Sequence, residues 1–162
     1  MVDFLTPEGR SERMSRIRSA NTTPELTLRR QLHALGFRFR LGGGGLPGKP
    51  DIVLPKYRTV VFVNGCFWHR HEGCTIATTP KSNTQFWVDK FSRNVERDRR
   101  VMRQLCEMGW HVLTAWECEL KSRSKAEGTA SRLARQIEHL RGAIPLTGTI
   151  GEVPRGSAET DG

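Results

Sequence analysis

The fold of this chain is constrained most by a set of metal-binding side chains that follows a predicted buried strand. Two cysteines and two histidines lie within positions 66–74, directly after the apolar run 59–63: Cys66, His69, His71 and Cys74. A further cysteine, Cys118, follows a second apolar run at 110–116. Zinc takes four cysteine or histidine ligands in a tetrahedron, so the three cysteines and either histidine are sufficient. We therefore expect the ends of two strands to meet around a closed zinc site, which stabilises a loop rather than activating water.

Disulfides are the alternative use of the four cysteines. No apolar run approaches the roughly 20 residues that cross a membrane. The first residues, which include Asp3 and Glu8, lack the apolar segment of a signal peptide. We therefore expect a cytoplasmic protein in a reducing compartment, where clustered cysteine and histidine bind metal. Cys106 stands apart on the apolar side of a predicted helix and is interpreted as a core thiol.

The charge of the chain favours a polyanionic partner. Lysine and arginine number 26 against 17 aspartate and glutamate, a net charge of +9, and arginine outnumbers lysine 20 to 6. The planar guanidinium binds phosphate through two parallel hydrogen bonds, so this bias predicts a nucleic-acid partner. With 36% hydrophobic residues, the 162-residue chain is expected to form one ordinary core.

Hydrophobic periodicity predicts an α/β domain with one mixed sheet and helices on its faces. The predicted helices are 22–35, 84–108 and about 124–140, and the predicted strands are 37–41, 50–54, 59–63 and 110–116. The loop Gly42–Gly45 lacks the Lys-Ser/Thr of a phosphate-binding P-loop and leads into no helix, so it predicts no nucleotide site. We expect residues 1–21 to form a basic arm, 22–141 the folded domain and 142–162 a disordered tail.

Two carboxylates have both a structural and a functional interpretation. Glu25 lies at the edge of the apolar stripe of the first helix, where it either caps the helix and pairs with Arg29 or faces a site. Asp51 precedes an apolar run, as a turn residue or a ligand for a hard metal. Together with the histidine that zinc does not use, they fit a Mg²⁺ site for phosphodiester cleavage. Histidine, with an unperturbed pKa of about 6.5, is suited to deprotonate water there.

Large aromatic residues lie in basic surroundings, in the pairs Phe67-Trp68 and Phe86-Trp87. They either pack in the core or stack on and wedge between bases, beside arginines at 93–103 that are expected to contact phosphates. The segment 11–20 alternates arginines with Met14 and Ile17. It is either an amphipathic helix on the core or an arm that carries these side chains into a DNA groove.

Six motifs spread over about residues 10–141 together resemble the very-short-patch repair endonucleases. They are Met14-Ser-Arg-Ile17, Pro47-Gly-Lys-Pro50-Asp51, Val61-Phe-Val-Asn-Gly65-Cys66-Phe67-Trp68-His69-x-His71, Thr84-Gln-Phe-Trp87, Asn94-Val-Glu-Arg-Asp-Arg-Arg100 and Gly109-Trp-x-Val-Leu-x-x-Trp116-Glu-Cys118. The resemblance implies a Mg²⁺-dependent enzyme that nicks DNA 5′ to the T of a T:G mismatch produced by deamination of 5-methylcytosine. It also implies a restriction-endonuclease-like fold, a variant of the PD-(D/E)xK core, with structural Zn²⁺. Such an enzyme is expected to act as a monomer in the bacterial cytoplasm, at the nucleoid, and to be open to recruitment by other DNA repair proteins.

The resemblance also implies roles for individual residues. Asp51 binds Mg²⁺ together with the main-chain carbonyl of Val63, His69 is the general base, and Glu25 orients the site. The implied zinc ligands are Cys66, His71, Cys74 and Cys118. The implied DNA contacts are Phe67, Trp68 and Trp87 as a major-groove wedge, Met14 and Ile17 from the minor groove, and Lys90 and Asn94 near the wobble pair.

Two positions depart from the family's pattern. Asn64 stands where the family commonly has a catalytic histidine near the phosphate. Because asparagine donates a hydrogen bond but carries no titrating charge, the rate or its pH dependence is expected to differ. The segment between His71 and Cys74 is one residue longer than expected, which a loop absorbs. The alternatives are a restriction-like endonuclease of other specificity and a zinc-stabilised DNA-binding module without catalysis.

Overall fold

The computed structural model describes residues 20–143, which contain three helices and three strands. In chain order they are α1 (Thr23–Ala34), β1 (Ile52–Leu54), β2 (Thr59–Asn64), α2 (Thr84–Glu107), β3 (His111–Trp116) and α3 (Arg123–Leu140). Short 3₁₀ turns lie at Gly42–Gly45, Pro55–Tyr57 and Glu117–Leu120. None of these helices is both long and apolar enough to cross a membrane.

The strands form one mixed sheet, as the periodicity predicted, and their order in it is β1-β2-β3. The hairpin β1-β2 is antiparallel, with Ile52 opposite Val61, and it turns through Pro55–Tyr57. β2 and β3 are parallel, from Thr59 opposite His111 to Asn64 opposite Trp116. A parallel pair needs a crossover connection, which α2 supplies. The carboxyl ends of β2 and β3 therefore lie side by side, and the segments that follow them share one edge of the sheet.

The predicted strand at 37–41 is wrong. Only Arg40 pairs with the sheet, in a single bridge to Val53. Phe37 is buried, but Leu41 remains 49% exposed, so the alternating pattern does not mark a strand with one buried face. β1 is only three residues long and offers no partner for a longer strand. The glycines that follow then turn the chain away from the sheet.

All three predicted helices are confirmed, and their ends follow local rules. α1 ends before Gly36 and α2 before Gly109, both glycines with positive φ (+92° and +84°). α3 begins after Ser122, whose hydroxyl accepts a hydrogen bond from the Lys125 N–H. Of the predicted terminal segments, 1–21 and 142–162, almost all lies outside the described residues. Met14 and Ile17 also lie outside the described residues.

The two faces of the sheet are covered differently. α1 and α3 cover one face, where side chains such as Leu32, Val61 and Leu133 are fully buried. α2 covers the other face, where Val60 and Leu105 belong to a buried cluster of only four residues. These will be called the α1/α3 face and the α2 face.

The segment before β1 is held tightly against its neighbours at two glycines. A Cβ at Gly43 would lie 2.7 Å from the Cα of Lys49, and one at Gly48 would overlap the side chain of Val101 in α2. Both glycines have positive φ. Only glycine allows this approach, which sets the position of Pro50 and Asp51 at the start of β1.

Candidate active site and metal centre

Four residues from two parts of the chain meet at the carboxyl edge of the sheet: Cys66, His71, Cys74 and Cys118. We refer to them as the Cys/His cluster. One potential ligand atom from each lies within 4.8 Å of all the others. Cys66 follows β2 and Cys118 lies in the 3₁₀ turn after β3, so the parallel pairing of these strands brings the two thiols together.

The distances within the Cys/His cluster suit a tetrahedral ion. The Nδ1 atom of His71 lies 3.6 Å from the Cys66 sulfur and 3.4 Å from the Cys118 sulfur. Bonds of about 2.3 Å to sulfur and 2.0 Å to nitrogen in a tetrahedron place ligand atoms roughly 3.5–3.8 Å apart. The donor set and the spacing therefore fit a closed four-ligand metal site.

The thiols of the Cys/His cluster differ in how readily they ionise. Burial raises the pKa of Cys66 to about 12, and burial also raises the pKa of Cys118. The N–H of Ile76 donates toward Cys74 and lowers the pKa of that thiol. A metal has to displace protons from the first two, so binding will be coupled to pH.

Of the two candidate histidines, His71 belongs to the Cys/His cluster and His69 does not. The His71 ring stacks on Trp116 at the end of β3, with centroids 4.3 Å apart and planes 8° from parallel. The side chain of His69 points elsewhere, and its Nδ1 lies 2.6 Å from an Asp98 carboxylate oxygen in α2. The two histidines, which are separated by one residue, therefore lie in different surroundings.

Asp98 is the site residue that sequence reasoning missed. It lies 29 residues beyond His69, so no local spacing connects them. A clue existed, because Asp98 is one helical turn after Asn94 and shares its face of α2. The Asn94 side chain donates a hydrogen bond to the main-chain oxygen of Trp68 (3.2 Å), so this face packs on the loop that carries His69.

Asp51 lies at the start of β1, beside the end of β2. Its carboxylate accepts a hydrogen bond of 2.7 Å from the Val63 N–H. Burial raises the pKa of Asp51 to about 6, and the charge of Glu25 raises it further. The hydrogen bond from Val63 and the charges of Arg29 and His69 act in the opposite direction and lower the pKa. Asp51 is hard to ionise and lies near a second carboxylate, so a bound divalent cation would stabilise its charged form.

Glu25 is buried in α1, with 4% of its surface exposed, as its place at the edge of the apolar stripe predicted. Its carboxylate accepts hydrogen bonds from the Asn21 N–H (2.9 Å), the Thr22 hydroxyl (3.1 Å) and Arg29 (3.1 Å). The Thr22 side chain makes no bond to the helix backbone, so Glu25 stabilises the start of α1 through its bonds to Asn21 and Thr22, which precede the helix. Both carboxylate oxygens are thus held in fixed positions near Asp51.

Asn64, the last residue of β2, lines a cavity between α2 and the sheet. The cavity is also lined by His69 and Asp98, by the basic residues Lys49 and Arg97, and by apolar side chains that include Phe62 and Met102. Asn64 therefore lies close to the histidine that the sequence singled out, on the side where a phosphate would meet positive charge.

An aromatic cluster joins the loop after β2 to the start of α2. Its members are Phe67, Trp68, Phe86, Trp87 and Phe91, with neighbouring ring centroids 5.1–6.0 Å apart. Trp87 is only 7% exposed, whereas Phe86 is 44% exposed. The Lys90 ammonium lies over the rings of Trp68 (5.4 Å) and Phe86 (5.7 Å). Exposed rings with a cation beside them form a surface able to stack on bases.

Cys106, which the sequence analysis interprets as a core thiol, lies outside the Cys/His cluster and is partly buried on α2. Burial raises its pKa. This agrees with its interpretation as a packing residue. All four cysteines are free thiols.

Comparison with known proteins addresses function directly. The sequence profile described as DNA mismatch endonuclease Vsr matches residues 2–75. The type II nicking enzyme V.NmeAIP of Neisseria meningitidis serogroup A is 44% identical over 138 residues, which cover 85% of this chain and 98% of that protein. The type II nicking enzyme V.XorIIP of Xanthomonas oryzae pv. oryzae is 49% identical over 120 residues, 74% of this chain and 88% of that protein.

The DNA mismatch endonuclease Vsr of Escherichia coli K12 is also similar. It is 43% identical over 138 residues, which cover 85% of this chain and 86% of that enzyme. The matched length exceeds the profile match and extends beyond the first half of the chain. Together with the mixed α/β fold, these similarities establish that the chain belongs to the DNA mismatch endonuclease Vsr family and acts as an endonuclease on DNA.

Proposed function

We propose that this endonuclease nicks one DNA strand 5′ to the T of a T:G mismatch, of the kind that deamination of 5-methylcytosine produces, with Mg²⁺ as its catalytic cofactor. The observation that carries the proposal is the juxtaposition at one sheet edge of Asp51, Glu25 and the His69–Asp98 pair with the aromatic cluster. The carboxylates and the His69–Asp98 pair suit phosphodiester hydrolysis, and the aromatic cluster suits insertion into a weakened base pair.

Asp51 is the proposed Mg²⁺ ligand, with the main-chain carbonyl of Val63 as a second. The arrangement fits a variant of the PD-(D/E)xK core, in which Pro50 and Asp51 immediately precede β1 and β2 pairs antiparallel with β1. When bound, Mg²⁺ polarises the scissile phosphate and stabilises the charge that develops on it. Glu25 is a positioning residue, because its oxygens are engaged by Asn21, Thr22 and Arg29.

His69 is the proposed general base. When its Nδ1 donates a hydrogen bond to Asp98, Nε2 carries the lone pair that accepts a proton from the attacking water. The Asp98 carboxylate orients the ring and stabilises the imidazolium that forms. Asn64 lines the same cavity and donates a hydrogen bond toward the phosphate, in place of a second histidine.

We propose zinc as the ion of the Cys/His cluster. Four cysteine and histidine ligands leave no open coordination position for water, so the ion is structural. Its contribution is to link the loop after β2 to the turn after β3. His69 and the aromatic residues Phe67 and Trp68 lie in that loop, so the zinc holds both groups in place.

Mismatch recognition rests on the aromatic cluster. A wobble pair stacks less well than a matched pair, so insertion of side chains there costs less than the few kcal/mol per step of intact duplex. Phe67, Trp68 and Trp87 are the proposed wedge in the major groove; Trp87 is buried behind Phe67 and Trp68 in the free protein and supports them. Lys90 and Asn94 are the proposed readers of its surroundings. Met14 and Ile17, outside the described residues, approach from the minor groove.

All proposed catalytic and zinc-binding residues come from one chain, so a monomer suffices. Because its substrate is DNA, we place the enzyme in the bacterial cytoplasm, at the nucleoid when bound.

A strand-nicking assay tests the proposed function. End-labelled duplexes that differ only in one T:G or C:G pair are incubated with the enzyme in Mg²⁺ or in EDTA. We expect one nick 5′ to the T, in the mismatched duplex and in Mg²⁺ only, and none with Asp51→Asn. Glu127→Gln, an exposed carboxylate of α3 away from the site, is the matched control and should retain activity. Cutting of the matched duplex would instead indicate a restriction-like enzyme, and binding without cutting a non-catalytic module.

A further inference from the structure

Arg70 has an unusual conformation between His69 and His71. Its φ is +56°, in the left-handed region that residues other than glycine seldom adopt. Such a conformation persists where surrounding contacts hold it. Main-chain hydrogen bonds of the flanking residues His69 and His71, to Gly65 and Cys66, hold the loop, and the Arg70 side chain adds further contacts.

The Arg70 guanidinium binds the segment 77–79 at three points. It donates hydrogen bonds to the main-chain oxygens of Ala77 (2.9 Å) and Thr78 (3.0 Å) and to the Thr79 hydroxyl (3.2 Å). A longer bond of 3.4 Å goes to the main-chain oxygen of Phe67. The 77–79 segment belongs to no helix or strand, so these bonds tie it to the loop that carries the aromatic residues.

The same guanidinium also lies over an aromatic ring. Its central carbon is 4.1 Å from the centroid of Phe91, the member of the aromatic cluster farthest along α2. Phe91 meets Phe67 edge to face at 5.1 Å, and Phe67 meets Trp68 in the same way at 5.1 Å. Arg70 therefore supports Phe67 in two ways. It donates a hydrogen bond to the main-chain oxygen of Phe67, and it stacks on Phe91, which packs against the Phe67 ring.

We propose that Arg70 is a positioning residue that holds Phe67 and Trp68 in the orientation needed to enter a mismatch; this rests on the proposed function of the aromatic cluster. Its positive charge is directed at main-chain oxygens and a ring face. The role requires a planar fork that bonds neighbouring carbonyls while its face stacks on Phe91. Lysine, with three donors on one nitrogen, cannot do both.

The first test concerns the free protein. The Trp68 and Trp87 centroids are 6.0 Å apart, close enough for their transitions to couple, and Trp68→Phe identifies their contribution to the near-ultraviolet circular dichroism. We expect Arg70→Met and Arg70→Lys to remove most of that contribution. Arg123→Met, which removes an exposed α3 arginine, should leave it unchanged. Zinc content and the thermal midpoint identify any variant that fails to fold.

The second test measures binding to T:G and C:G duplexes at one salt concentration. We expect Arg70→Met to reduce the preference for the mismatch about tenfold, a loss of 1.4 kcal/mol, with little change in binding to the matched duplex. Arg70→Lys should lose nearly as much, because it retains the charge but not the fork. Arg123→Met should retain the full preference.

The outcomes separate this proposal from the proposed function. An unchanged tryptophan signal in folded Arg70→Met would overturn the positioning role, as would full restoration of mismatch preference by Arg70→Lys, since charge alone would then suffice. If the wild type shows no mismatch preference, the proposed function fails, while the tryptophan signal still decides whether Arg70 orients the rings.

Discussion

The two faces of the sheet differ in how completely they are covered. On the α1/α3 face, Leu28, Leu32, Leu133 and Ile137 are all fully buried against the strands. On the α2 face the buried cluster is small, Met102 of α2 remains 41% exposed, and a cavity opens beside His69 and Asp98. The α1/α3 face is packed as a core, and the α2 face leaves a cavity beside the proposed catalytic residues His69 and Asp98.

The unequal coverage of the two faces lets a domain of this size combine stability with an accessible site. The α1/α3 face supplies most of the buried apolar surface, which is the main favourable term in folding. The α2 face can then hold polar groups and open space at little cost to the fold. Mutations should separate accordingly: truncations of buried apolar side chains on the α1/α3 face should affect stability, and changes at the His69–Asp98 cavity on the α2 face should affect activity.

Loss of metal from the Cys/His cluster should have the largest effect, because the cluster lies at the edge shared by both faces. Structural zinc contributes about 10–16 kcal/mol in small zinc domains, so we expect Cys118→Ser or chelation to lower the free energy of unfolding by at least about 5 kcal/mol. Calorimetry with zinc analysis measures this. Cys106→Ser, a thiol outside the cluster, should retain zinc. An unchanged thermal midpoint after chelation would contradict the structural role.

Removal of the proposed base on the α2 face should affect activity alone. General-base catalysis contributes about 10²–10⁴-fold, so we expect His69→Ala to reduce single-turnover nicking by that factor with unaltered DNA affinity. Asp98→Asn should cause part of the same loss. Retained nicking by both variants would remove the His69–Asp98 pair from the mechanism.

A core truncation on the α1/α3 face should show the opposite result. We expect Leu133→Ala to lower the free energy of unfolding by about 2–5 kcal/mol, because it leaves a cavity in a fully buried position. Nicking per folded molecule should not change. Met102→Ala on the exposed side of α2 should cost less than about 1 kcal/mol. Similar urea midpoints for the two variants would show that the faces do not differ as described.

The pH dependence of stability should reveal Asp51. Its pKa is raised from 3.8 unfolded to about 6 folded, so the folded state retains a proton that the unfolded state loses. The contribution of Asp51 to stability therefore falls as pH rises from about 4 to about 6. We expect Asp51→Asn to be more stable than the Mg²⁺-free wild type above pH 6, by about 2 kcal/mol after allowance for partial exposure. Urea unfolding at several pH values measures the difference, which should be absent below pH 4.

The smallest effect should come from single exposed arginines. Arg93→Gln on α2 should reduce the slope of log affinity against log salt by about 1, equally for matched and mismatched DNA. Arg135→Gln, exposed on α3 across the sheet, should leave the slope unchanged. Equal effects of the two variants would mean that DNA does not favour the α2 side.

Much of the fold was predictable because it depends on local patterns. Helices at 22–35, 84–108 and 124–140 followed from apolar spacing and from terminal glycines, and they were found within a few residues. The strand at 37–41 was wrong, because alternation alone does not supply a pairing partner. Helical spacing places Met102 on the side of α2 that carries Phe91 and Leu105, yet Met102 is exposed. The sheet is too short to cover the whole of a 24-residue helix.

The residue pattern alone identified which chemistry is available: the Cys/His ligand set, the inward Glu25, Asp51 at a strand border and the basic surface. It left open which histidine joins the thiols, and the family resemblance then implied His71. The tertiary structure places His71 beside the thiols and His69 beside Asp98, and it directs the Arg70 guanidinium at main-chain oxygens. It also buries Trp87 while leaving Phe86 exposed. The pairing of His69 with Asp98 and the contacts of Arg70 could not be predicted, because hydrophobic periodicity depends on each segment alone, whereas contacts between side chains depend on how strands and helices pack across long separations in the chain.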